Sequence, residues 1–129
     1  GCDARNIEYW DYHCRLDNYA NGGLTFVIEW MAATATTGVV RWEAAIRANP
    51  DDAEDVDAAH TYDYNAVDDT TASASGESSR ATITFTNGAD MDNLADGETF
   101  VLRIRRNASH ANDTMAGDAQ IKGVFGRET

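Results

Sequence analysis

Lysine occurs once, proline once and cysteine twice in these 129 residues. The scarcity of cations decides most. Asp and Glu total 22 against 10 Lys and Arg, a net charge of −12. A surface of that sign repels phosphate backbones and anionic membranes, which argues against nucleic-acid and membrane-surface partners. No apolar run approaches the about 18 residues that a membrane-spanning helix needs. The acidity suits solubility in high salt, where self-repulsion is screened, and equally suits binding of divalent cations.

Catalytic motifs are missing as well. His13, His60 and His110 sit on separate segments, and no spacing gathers them as metal ligands. Ser73, Ser75, Ser78 and Ser79 lie in a low-complexity stretch without a nucleophile elbow. Gly22-Gly23 follows no phosphate-loop pattern. Among 22 acids, chance carboxylate pairs are inevitable, so none points to glycoside hydrolysis. The expectation is a protein that is not an enzyme.

No helical period is evident either. What the chain does show is alternation of apolar and polar residues. Leu24, Phe26, Ile28 and Trp30 share one face of a strand over 24–33, and Val40, Trp42, Ala44 and Ile46 one face of a strand over 39–48. Ala81, Ile83 and Phe85 follow in 80–86, then Phe100, Leu102 and Ile104 in 98–106, then Ala119, Ile121 and Phe125 in 118–126. Side chains on a strand alternate between faces, so each run buries one face. An edge strand over 9–16 and a short strand over 60–66 complete the set. Residues 25–47 read as a hairpin. The connections 49–57, 68–79, 87–97 and 107–117 are loops, the first holding Pro50, which cannot donate to a ladder. Long connections beside tight turns predict an all-β protein, a two-sheet antiparallel β-sandwich of jelly-roll or Greek-key topology. Residues 1–18 form an arm or edge strand, and 19–129 the sandwich.

Four features remain. Cys2 and Cys14 either pair, pinning the arm by on the order of 2–3 kcal/mol, or stay free thiols. The loop acids Asp51, Asp52, Asp55 and Asp57, a second set of Asp90, Asp92 and Asp96, and Asp113 with Asp118 offer oxygens of the type calcium takes, about six to eight per ion. No other cofactor is implied. Asn107-Ala-Ser109 and Asn112-Asp-Thr114 match the glycosylation acceptor pattern. Tyr9, Trp10, Tyr12, Tyr19, Tyr62 and Tyr64 lie among polar residues, where aromatics stack on sugar rings, enter a subunit interface or pack within the domain.

The stretch Ala81-Thr-Ile-Thr-Phe-Thr86, then Asp92-Asn-Leu-Ala-Asp-Gly-Glu-Thr-Phe-Val-Leu-Arg-Ile-Arg-Arg106, then Asn112-Asp-Thr-Met-Ala-Gly-Asp-Ala119 resembles a β-sandwich domain of tailed-phage and prophage structural proteins. Trp30-Met-Ala and Gly38-Val-Val-Arg-Trp42-Glu-Ala fit the same pattern, so the likeness spans about residues 19–125. It implies a virion protein of capsid-decoration, tail-fibre or baseplate type, in contact with other virion proteins, and no catalytic residue comes with it. It further implies a symmetric oligomer. A trimer with Trp10 in or beside the contact is the expected form, and a host glycan bound by exposed aromatics is the alternative partner.

Overall fold

In the computed structural model the described residues are 8–49 and 60–129. Seven strands carry the fold: β1 (Glu8–Arg15), β2 (Leu24–Ala32), β3 (Val39–Asn49), β4 (Asn65–Thr70), β5 (Ser79–Phe85), β6 (Thr99–Arg106) and β7 (Ala119–Glu128). One short 3-10 turn, Ala89–Met91, precedes β6. The strands form two antiparallel sheets, β1-β6-β3-β4 and β5-β2-β7, packed face to face as a β-sandwich.

The alternation seen in the sequence builds the core. Phe26, Ile28 and Trp30 of β2 and Ile83 and Phe85 of β5 face Val40, Trp42, Ala44 and Ile46 of β3 and Leu102 and Ile104 of β6. Each large apolar side chain fully buried this way contributes roughly 1.5–3 kcal/mol. The three tryptophans meet in a tilted, edge-to-face series, half-buried Trp10 against Trp42 and Trp42 against Trp30, both with ring centroids 5.8 Å apart. Met91 and Leu94 close the core beneath the 87–97 loop.

Among the described elements only β3 and β4 are both adjacent in sequence and paired; the other connections pass from one sheet to the other. This cross-sheet connectivity corrects the hairpin reading of 25–47. β2 pairs with β5 and β7, whereas β3 pairs with β4 and β6. Both strands are apolar on one face only, and packing those faces together across the sandwich buries both at once. The short strand also moves: it lies at Asn65–Thr70, and 60–64 is not in a strand.

Phe125 needs a second correction. The register of β7 against β2 shifts opposite Glu29 and Trp30, leaving Lys122 as an extra residue. One inserted residue reverses the faces that follow it. Val124 therefore packs toward the core after Ile121, and Phe125 points outward, 57 % exposed.

Candidate functional site

The aromatic candidates divide among three places. Trp10 is half-buried against Trp42 in its own chain. Tyr12 and Tyr19 line a cleft between the edges of the two sheets. Tyr9, Tyr62 and Tyr64, from two separate segments, meet on the outer face of the four-stranded sheet, interleaved with arginines of β6.

On that face the guanidinium of Arg103 lies between two rings, 4.2 Å from the centroid of Tyr62 and 5.0 Å from that of Tyr9. Arg105 sits 3.7 Å from the centroid of Tyr64. Arg103 also donates two hydrogen bonds to Asp11, from Nε (2.8 Å) and Nη2 (2.9 Å). That paired fork holds the Asp11 carboxyl below its ordinary pKa and raises that of Arg103. Beside it, Glu43 receives Arg105 Nε at 2.6 Å and Arg41 Nε at 3.0 Å, with Asn107 Nδ2 at 3.4 Å. Burial alone would raise the Glu43 pKa, but the bonds from Arg41, Arg105 and Asn107 outweigh it and the pKa is lowered.

Glu43, Ala45, Arg47 and Val101 point away from the core yet are buried. The segment 60–64 crosses this face through the Tyr62 and Tyr64 stacks. His60 joins it, its ring 4.9 Å from that of Tyr62 and its Nε2 3.8 Å from Asp92 Oδ2. Alternation with Phe100, Leu102 and Ile104 turns Arg103 and Arg105 outward, but it assigns that face no cover. Periodicity along β3 and β6 carries no signal for a segment that lies over them.

The second place is a cleft of about 410 Å³ where the sandwich opens between β1 and β7. Its floor is Leu24, Phe26, Phe100 and Leu102, and its rim includes Arg15, Asp17, Arg127 and Glu128. Cys14 lines it as a half-buried thiol, its pKa raised by burial, as is that of Tyr12. The Tyr19 hydroxyl is already bonded, donating to Asn87 Oδ1 (2.7 Å) and accepting from Gly23 N–H (2.9 Å).

The calcium candidates within reach are bonded to the fold. Asp90 accepts from Thr86 N–H (2.8 Å), Thr86 Oγ1 and Asn65 Nδ2. Asp92 accepts from Ala48 N–H (3.0 Å), and Asp96 from Tyr19 N–H (2.9 Å). Asp113 is paired with Arg106. Among the described residues no three His, Cys, Asp or Glu side chains are grouped to hold a metal ion. Asp51, Asp52, Asp55 and Asp57, and Cys2 with its proposed bridge to Cys14, lie outside the described residues. Of the two acceptor patterns, Asn107 is tied to Glu43 and Ser109, while exposed Asn112 donates to Asp68 (2.9 Å).

No family model matches this chain, and neither the curated proteins nor the solved structures contain a match to it.

Proposed function

We propose that this chain is a non-enzymatic structural protein of a tailed-phage particle, a capsid decoration or a tail or fibre component. It acts through contacts with copies of itself and with other virion proteins. The observation that carries the reading is the side of β7 away from β2, which no described strand covers, next to exposed Phe125. Unpaired strand backbone beside an exposed aromatic is what strand-to-strand protein contacts use. The resemblance over residues 19–125 supports the virion setting. The internal bonding of Glu43, Asp90, Asp92, Asp96 and Asp113 supports a role without chemistry. Trp10 is engaged by Trp42, so the contact proposed here does not use it. Mass spectrometry and antibody labelling of purified particles test the reading. The protein is expected in stoichiometric amount on the particle; its presence in the lysate but absence from particles would sink the idea.

A second reading is a carbohydrate-binding module. The cleft favours it, because Tyr12 and Tyr19 border an apolar floor with a charged rim. A glycan array run with and without Ca²⁺ decides it, and an array without hits in both conditions removes it.

A further inference from the structure

The free side of β7 has a defined chemistry. Thr129 N–H donates to the Gly23 carbonyl (3.0 Å), and Arg127, Phe125 and Gly123 continue the same phase opposite Thr25, Val27 and Glu29. In an antiparallel pair alternate residues turn their backbone groups to opposite sides. Val124, Gly126 and Glu128 therefore present their N–H and C=O groups to the open side, where no described strand takes them up. The side chains complete the picture. Phe125 is exposed, and Arg127 is exposed with no ion pair among the described residues. Both project from the outer face. Charge does not oppose a contact at this strand. β7 carries Lys122 and Arg127 against one acid, Glu128, in a chain of net −12. Of the other edge strands, β1 carries Asp11 against Arg15, β4 carries Asp68 and Asp69, and β5 carries Arg80 but lies against β4. Two copies meeting at β7 bring no acid-rich strands together, in a chain whose net charge is −12.

We propose that β7 pairs antiparallel with β7 of a second copy about a two-fold axis at Gly126. Gly126 then faces Gly126 of the second copy, and Val124 faces Glu128, as hydrogen-bonded pairs. Phe125 faces Arg127 as a non-hydrogen-bonded pair, the kind that brings side chains closest, about 4.5 Å between Cα atoms. The register places an exposed guanidinium on an exposed ring, and the symmetry does so twice. Gly126 puts no side chain at the axis; a Cβ there would already lie 2.8 Å from the Phe26 ring of its own chain. The two three-stranded sheets become one six-stranded sheet, and the open edge is covered.

This contact deepens the assembly reading above and rests on it. It is tested in solution, so its failure is distinct from a failure of particle incorporation. Sedimentation velocity of the full chain over micromolar to hundred-micromolar concentrations should show a monomer–dimer equilibrium. Phe125→Arg, which sets like charges opposite Arg127, should leave monomer throughout with an unchanged far-UV spectrum. Adding Arg127→Glu to that variant should restore the dimer. With Cys2→Ser and Cys14→Ser as background, a Phe125→Cys chain mixed with an Arg127→Cys chain should oxidise to a covalent heterodimer. A wild-type chain that stays monomeric, or forms trimers, would overturn the proposal. So would a dimer indifferent to Phe125→Arg, or one that cross-links Phe125→Cys only to itself.

Discussion

Arg106 and Asp113 form a two-pronged ion pair inside the sandwich, Nη2 to Oδ1 at 2.7 Å and Nε to Oδ2 at 3.0 Å, with both side chains almost fully buried. Arg106 occupies an inward position of β6, where the pattern Phe100, Leu102, Ile104 calls for an apolar residue. Its remaining donors reach the carbonyls of Met115 and Gly117, and Asp113 also accepts from Arg41 N–H (3.0 Å). The pair thus ties the 107–118 connection onto the end of β3. Removing one member leaves the other buried and uncompensated, at a cost of about 3–5 kcal/mol. Arg106→Met and Asp113→Ala should each lower the unfolding free energy from urea denaturation by that measure. The double variant should cost clearly less than the sum; an additive result would mean that the two groups are not coupled.

The carboxylates of the arginine–tyrosine face give the chain a pH dependence. Asp11 is held down by its bond to Arg103, and Glu43 by Arg41, Arg105 and Asn107 against the opposing effect of burial. A carboxyl whose pKa is lower in the folded state stabilises the fold fully above its unfolded pKa of roughly 4, and the gain is lost as pH falls through the folded value. The melting temperature should therefore hold steady from neutral pH down to about pH 5 and then fall below about pH 4. In Glu43→Gln that acid-side fall should be shallower. An unchanged acid limb in this variant would show that Glu43 does not carry it.

Two buried tryptophans should respond differently to the same substitution. The Trp30 indole N–H donates to Asp69 Oδ2 at 2.7 Å, whereas the buried Trp42 indole N–H has no partner among the described residues. Trp→Phe at either site removes similar volume. At position 30 it also removes a bond to a carboxylate, and at position 42 it removes a donor left unsatisfied at about 1–3 kcal/mol. Trp42→Phe should be the milder change by at least about 1 kcal/mol in denaturant titrations. Equal costs would count against the orphaned donor.

Net charge sets the response to salt. A small domain of charge −12 repels itself most at low ionic strength, where the screening length is about 30 Å at 0.01 M. The melting temperature should rise from low salt to molar sodium chloride. A flat or falling curve would mean that local ion pairs, such as Arg103 with Asp11, outweigh the global repulsion.

Glycine placement offers a sharper local test. Gly38 has φ +100°, and a Cβ there would lie 2.7 Å from the Met115 Cα, a backbone atom that cannot swing aside. Gly38→Ala should destabilise by more than about 1 kcal/mol in denaturant titrations. A neutral result would show that the 114–115 strap is free to move away.

The sequence by itself determined which residues enter the core. Leu24 to Trp30, Val40 to Ile46, Ala81 to Phe85 and Phe100 to Ile104 each place an apolar residue at every second position, although Val27, Ala45 and Val101 fall between them, and that period fixes one core face per strand. It also determined the sign of the surface, which is additive over side chains. Partner choice between strands was not legible. β2 and β3 are each apolar on one face, which is as compatible with a hairpin as with two strands packed across a sandwich; only the global arrangement put them in different sheets. A one-residue bulge at Lys122 turned Phe125 outward, because a period of two residues has no tolerance for an insertion. The convergence of Tyr9, Tyr62 and Tyr64 on Arg103 and Arg105 depends on how segments distant in sequence cross, and no local pattern encodes that crossing. The tertiary structure alone decided it, by laying 60–64 over an outer face whose charged side chains needed partners once water was removed.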